Sequence, residues 1–365
     1  MKNILFFAQR IHAPWIEWVK NNAIEICEWL NKKIKVHIIS HRWPENNLDS
    51  DTLRWVDVHY LLKLHSNKVL QLFFLIVWWF QSLFFILKTK PEKIFVQYLD
   101  TSYLFPLLLI KIFRPKLEVF LTLYSTDEVN IWYKKVFLKY FSFKKIIITS
   151  EYLRTSVLEL WYEDTDIIFI PLSYDKERFL KYWDFKKRDK KVILFSAGIV
   201  KEAGSFFMID LAKKMPEYKF IFTMRKFDKK SEGEFDTLTK YIKEKNVKNI
   251  DLMRNISNME ELLWKISAYV LPLQDIHIKM LIPIALLEAM WRWNTCFVSN
   301  LEHLRHLVAD WKNAIVFDRD NIEDLKEKIE KNIEKQDLWK QAYEFAKCYP
   351  SFENTYEKYY NLIEC

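Results

Sequence analysis

Glu288 lies in the run PIALLEAMW with Leu286, Leu287, Ala289 and Met290 around it. A carboxylate on a mostly apolar helix needs a partner, and a bound ligand would supply one; otherwise it is an exposed helix charge. Arg225 and Lys226 directly follow the strand-like YKFIFTM. They fall at the C-terminal end of a strand, the edge at which doubly wound sheets bind ligands. Lys201, in SAGIVKEAG, has the charge to meet a phosphate, and reads equally well as a solvated lysine. In the first half, His12 follows the first apolar run, where a lone loop histidine is more often surface than functional. Tyr98 and Asp100 close KIFVQYLD, Asp100 reading better as a helix cap, and Asp127 and Glu128 follow LEVFLTLY.

Several chemistries are excluded or left without support. No G-x-x-x-x-G-K-[ST], H-E-x-x-H or G-x-S-x-G occurs, which removes motif support for an NTPase, a zinc protease or an α/β-hydrolase. Cys27, Cys296, Cys348 and Cys365 are widely spaced, unlike zinc, redox or disulfide frameworks, and point to a reducing, cytoplasmic setting. The formal net charge of +8 favours anionic partners such as a membrane surface or a phosphorylated ligand. Lysines and arginines are scattered among acids rather than gathered in a stripe, so nucleic acid is not expected. The start, MKNILFFAQ, lacks a small-residue cleavage site and reads as a strand, not a signal peptide.

The elements that must position these residues alternate as short apolar runs and amphipathic stretches, the pattern of βα units on parallel sheets. ILFFAQ (4–9), KVHIIS (35–40), KIFVQYL (93–99), LEVFLTLY (117–124) and KIIITS (145–150) predict a first sheet of five strands. Ile16, Val19, Ala23, Ile26 and Leu30 recur at helical spacing after the first. A second series runs KVILFSAG, YKFIFTM, NIDLM, AYVLPL, TCFVSN, NAIVF, and the polar, turn-rich IPLSYDKERF (170–179) separates the two. Residues 69–87, VLQLFFLIVWWFQSLFFIL, approach the roughly 20 apolar residues of a membrane span. Gln71, Gln81 and Ser82 interrupt them, which favours a buried or membrane-surface helix, with Phe73, Phe74, Trp78, Phe80, Phe84 and Phe85 in core or membrane contact. SFENTYEKYYNLIE (351–364) predicts a terminal amphipathic helix.

Six strings, in the family's order along the chain, resemble the GT-B glycosyltransferases of the GT4-like, group 1 type. IPLSYDKERF is similar to the family's I-P-N-G-V-D-x-x-x-F linker, and TSEYLRTSVLEL (149–160) resembles the helix before it. SAGIVKEAGSFFMIDLAKKMPEYKFIF resembles G-R-L-x-x-E-K-G and its following strand, and MEELLWKISAYVLPLQD the helix and strand that come next. PIALLEAMWRWNTCFVSN is similar to P-x-x-L-L-E-A-M-A-x-G-x-P-V-V-S, and DWKNAIVF to D-G-x-N-G-x-L-V.

The resemblance implies an α/β chain of two Rossmann-like, doubly wound domains facing a central cleft. Residues 1–168 would form the acceptor side, 169–345 the nucleotide-sugar domain, and 346–365 a helix returning to the first domain. It implies a retaining hexosyltransferase, using a nucleotide diphosphate sugar as donor, with neither metal nor other cofactor. The acceptor would be a saccharide or a lipid-linked sugar in cell-surface polysaccharide or glycolipid synthesis, at the cytoplasmic face. Independently of the resemblance, the aromatic richness and positive charge of the chain suit peripheral contact with an anionic membrane. Glu288 would bind the ribose hydroxyls, and the amides of Ile284, Ala285 and Leu286, after Pro283, would face the diphosphate. Lys201, Arg225, Lys226 and Gly198 would line the donor, and His12 the reacting sugar.

The sequence departs from the family at three charges. Gly198 stands for the expected arginine, Ala203 for the lysine, and Leu281, beside Met280, for the first acidic residue. A catalytically impaired GT-B protein serving as a binding or scaffold subunit is therefore a competing expectation; a GT-B epimerase would need acid–base residues that are not identifiable.

Composition is anomalous in one respect. Three glycines stand against 15 tryptophans, where average usage of about 7% would give roughly 26 glycines. Trp15, Trp161, Trp293 and Trp311 stand where the family strings carry glycine. A UGA codon reassigned to glycine but read as tryptophan would leave this pattern.

Overall fold

The computed structural model describes residues 2–8, 11, 18–42, 50–53, 56–63, 68–177, 189–198, 201–224, 229–254, 256, 258–275 and 281–364. They form two compact units, Met1–Leu172 with Phe352–Cys365, and Ser173–Ser351.

In unit 1, parallel strands covered on both faces need near-continuous apolar runs. β1 (Asn3–Ala8) and β2 (Lys35–Arg42) supply such runs, with α1 (Trp18–Asn31) between them, and β3 (Ser50–Leu53) and β4 (Val56–Lys63) follow. After α2 (Lys68–Thr89) come β5 (Lys93–Gln97), α3 (Leu104–Phe113), β6 (Glu118–Leu123), α4 (Asp127–Asn130), α5 (Trp132–Tyr140), β7 (Lys145–Ile148), α6 (Tyr152–Leu158) and β8 (Ile167–Phe169). The sheet order is β3-β4-β2-β1-β5-β6-β7-β8, eight strands where five were expected. The additional ones are at the two ends. β4 alternates, burying Val56, Val58 and Tyr60 while Asp57 is exposed, and so lacks the apolar run that marks a central strand. β3 pairs with it antiparallel, the one antiparallel pair of the sheet among the described residues.

α1 buries Ala23, Ile26, Cys27 and Leu30 at helical spacing against β1, β2 and β4. The terminal helix Phe352–Glu364 completes the same core with Tyr356, Tyr359 and Ile363. It is held by polar contacts as well. Tyr359 Oη and Thr122 Oγ1 are 3.0 Å apart, and Lys93 Nζ donates to Leu362 O at 2.9 Å. Each buried large side chain contributes about 1.5–3 kcal/mol, so the final residues of the chain are structural members of its first unit.

α2 is continuous over 22 residues. It buries Trp78, Ser82, Leu83 and Ile86 while Phe80 and Phe84 are exposed. Among the described residues no helix is long and apolar enough to cross a membrane.

Unit 2 contains β9 (Val192–Phe195), α7 (Ser205–Lys214), β10 (Lys219–Met224), α8 (Lys229–Glu244), β11 (Ile250–Arg254) and α9 (Met259–Lys265). Then follow β12 (Ala268–Leu271), α10 (Ile284–Trp291), β13 (Thr295–Ser299), β14 (Ile315–Phe317), α11 (Ile322–Asn332) and α12 (Gln336–Cys348). Its six strands are the six expected, all parallel, in the order β11-β10-β9-β12-β13-β14. Asn258 caps α9 and Asn321 caps α11, each side chain accepting the backbone N–H three residues on at 3.0 Å.

Candidate active site

The unit 2 strand order reverses between β9 and β12: the chain first builds outward through β10 and β11, then returns to the other side of β9. A doubly wound sheet opens a ligand crevice at the C-terminal ends of such a pair. After β9 come Gly198, at φ 107°, the 3-10 turn Lys201–Ala203, and Gly204, at φ 88°, which begins α7. After β12 come Pro272 to Asp275 and, beyond residues 276–280, Leu281 to Pro283 and α10. Gln274 ties the two loops together. Its N–H donates to Glu202 O at 2.8 Å, its Nε2 to Pro272 O at 3.1 Å, and its carbonyl accepts Arg319 Nη1 at 3.0 Å. Ser299 Oγ fixes the base of the second loop by donating to Leu273 O at 2.8 Å.

The structure thus brings Gly198, Lys201, Ile284, Ala285, Leu286 and Glu288 onto segments leading from adjacent strands. Lys201 is exposed. The first-turn amides of a helix have no intrahelical acceptor, but Leu286 N–H donates to Pro283 O at 2.9 Å, which leaves Ile284 and Ala285 as the outermost of the three. Glu288 is buried, and its charge adds to burial, the larger cause, in holding the phenols of Tyr174 and Tyr269 above their ordinary range. Tyr174 is anchored by its hydroxyl, which donates to Ala346 O at 2.9 Å. Neither tyrosine was singled out in the sequence, because each lies in a run that reads as linker or strand. Ala203 and Leu281 are wholly buried, so apolar packing occupies two positions where charges were expected. Arg225, Lys226, Met280, His12 and Trp15 lie outside the described residues.

In unit 1 the corresponding sheet edge is organised by Glu128. Its Oε2 accepts Leu99 N–H at 2.6 Å, and its Oε1 accepts Tyr124 N–H at 2.6 Å and Ser125 N–H at 2.9 Å. One carboxylate therefore joins the loops that leave β5 and β6. Burial raises its pKa to about 7, against the opposing pull of these N–H donors and of Lys134. Tyr98, held at φ 73°, lies beneath Lys134, whose Nζ is 5.0 Å from the ring centroid. Asp100 acts as a cap: its carboxylate accepts Ser102 N–H at 2.9 Å. Among the described residues no three His, Cys, Asp or Glu side chains converge as a metal site.

Two open α/β sheets of this topology define the GT-B class, and comparison with solved structures agrees. A glycosyltransferase from Rickettsia africae superposes with TM-score 0.75 at 13% identity, over 99% of this chain and 97% of that one. Sucrose-phosphate synthase from Thermosynechococcus elongatus gives 0.78 at 11%, over 100% and 98%. Anabaena HepE, in complex with UDP and glucose, gives 0.76 at 11% over the whole of both chains. No curated protein sequence matches. Residues 180–348 match the model of the family Glycosyl transferases group 1.

Proposed function

We propose that the protein is a hexosyltransferase that takes its sugar from a nucleotide diphosphate donor, retains the anomeric configuration, and passes it to a saccharide or lipid-linked acceptor in cell-surface polysaccharide or glycolipid synthesis. The observation that carries this reading is Glu288, buried five residues into α10 at the switch point of a group 1 glycosyltransferase unit. Anabaena HepE is described with UDP-glucose, and Staphylococcus aureus TarM with UDP and α-GlcNAc-glycerol, which supports a uridine nucleotide donor and a saccharide acceptor as first choices.

In this reading the diphosphate, which gains charge as the glycosidic bond breaks, lies against the amides of Ile284 and Ala285, with Lys201, Arg225 and Lys226 as cations. Glu288 accepts hydrogen bonds from the ribose hydroxyls. Unit 1 presents the acceptor, with His12 near the reacting sugar. No metal or further cofactor is required, so turnover is expected to survive chelation by EDTA.

The test is release of UDP or GDP from a panel of nucleotide sugars, with Glu288→Ala as control. Turnover lost in the variant supports the assignment. Donor binding without turnover on any acceptor would instead favour a binding subunit, in keeping with the uncharged Gly198, Ala203 and Leu281. Failure to bind any nucleotide in calorimetry overturns both.

A further inference from the structure

Right-handed crossovers place α2, α3 and α5 on one face of the unit 1 sheet. α1 and the terminal helix cover the other, where Trp29 packs on Tyr356 and Tyr360. Eleven of the fourteen large hydrophobic side chains found exposed among the described residues belong to α2, α3 and α5. On α2 they are Ile76, Phe80, Phe84 and Leu87; on α5, Trp132, Val136 and Tyr140. This is helical spacing on the outward side, while Trp78, Ile86, Leu107 and Phe137 fill the inward side. Phe84 is 68% and Ile112 71% exposed, so the stripe is in water throughout. Water-facing helices normally invert this pattern.

Charge chooses the occupant. The three helices contain six lysines and no aspartate or glutamate, and Lys88 and Lys135 are exposed among the aromatic side chains. A second copy seated face to face would set lysines against lysines. An anionic bilayer satisfies both components, taking the rings into its interface and the ammonium groups among its headgroups.

We propose that the outer face of α2, α3 and α5 docks on an anionic lipid bilayer, holding unit 1 flat against the membrane. These helices contain none of the donor-site residues, and ten exposed hydrophobic side chains remain on them without Trp132. Flotation with vesicles of phosphatidylglycerol and phosphatidylcholine, against phosphatidylcholine alone, tests it. The expected result is binding to the anionic vesicles, weaker by about tenfold or more on neutral ones and for Phe80→Ser/Phe84→Ser, Ile112→Ser/Phe113→Ser and Lys88→Glu/Lys135→Glu. Circular dichroism and donor calorimetry on the same variants are expected to be unchanged, so a failure here is separable from a failure of the transferase reading. Wild-type protein that ignores anionic vesicles, variants that bind as well as wild type, or a dimer dissolved by these substitutions would each overturn it.

Three tryptophans have backbones shaped for a different residue. Trp161, Trp293 and Trp311 have φ of 72°, 59° and 57°, three of the seven non-glycine residues at positive φ among the described residues. Trp293 stands just past the C-cap of α10, the place where a helix most often ends on glycine, while Trp161 lies in the turn that follows α6 and Trp311 turns the chain before β14. A bulky side chain is the least suited to this region. We infer that these positions are glycine in the source cell, encoded by a UGA triplet reassigned to that residue. Peptide mass spectrometry of the protein isolated from its own cells decides the matter. Glycine at the three positions supports the inference, and tryptophan at Trp293 or Trp311 ends it.

Discussion

Gly204 meets Pro272 backbone to backbone: a Cβ on the glycine would collide with the proline carbonyl oxygen, and the glycine holds φ 88° besides. This contact seats the start of α7 against the loop after β12, so both sides of the switch point depend on a missing side chain.

Gly204→Ala is expected to cost about 3 kcal/mol, combining left-handed strain with overpacking against rigid backbone. In a unit of this size that lowers the melting temperature by roughly 6–12 °C. Scanning calorimetry checks it, and a variant that melts with wild type would show that the loops part freely.

Glu288→Gln keeps the shape of the buried side chain but removes its charge. Donor affinity is expected to fall about tenfold or more, equivalent to roughly 1.4 kcal/mol. Titration calorimetry against the best donor measures it, and an unchanged Kd would remove Glu288 from the ribose site.

Glu128 binds its proton more tightly when folded, at about 7 against 4.5 for the ordinary carboxyl. The unfolded chain therefore ionises first as pH rises, so the share of stability tied to this proton is complete below pH 4.5 and is lost by about pH 7. The loss is on the order of 3 kcal/mol. His303 runs the other way: burial lowers its pKa to about 4 from 6.5, so its share is complete above 6.5 and is lost as pH falls toward 4. Comparing wild type with Glu128→Gln cancels the histidine. Urea unfolding at pH 5 and pH 8 is expected to favour wild type relative to the variant at pH 5, and a pH-independent difference would contradict the assignment.

Trp161→Gly and Trp311→Gly, at exposed positions with positive φ, are each expected to stabilise by about 1 kcal/mol, the relief of left-handed strain exceeding the entropy of glycine in the unfolded chain. Trp293→Gly gains less, because it surrenders a ring stacked on Tyr343 at 4.6 Å. Urea midpoints for the single variants, with unchanged slopes, provide the measurement.

The parts of the fold that the sequence made legible are the apolar runs: β1, β2, β5 to β7 and β9, β10, β12, β13 and β14, where burial on both faces forced them, together with the half-buried end strand β11. β4 escaped because it alternates, Val56, Val58 and Tyr60 buried against an exposed Asp57, and β8 because three residues are too few to show a pattern. In the site, Glu288 stood out by contrast with its neighbours. The clamp made by Glu128 did not, since its partners are backbone amides brought from two strands, and backbone partners leave no trace in residue type. Glycine positions were legible even under tryptophan letters, because a turn is specified by its surroundings as well as by its central residue.

The terminal helix has a consequence for synthesis. Unit 2 is uninterrupted, residues 173–351, and is fully translated before Tyr356, Tyr359 and Ile363 emerge. Unit 1, although begun first, lacks part of its core until the helix Phe352–Glu364 has been made. The ribosome therefore releases a chain whose second half can close ahead of its first, and a truncation of a dozen residues at the tail strikes the beginning of the protein.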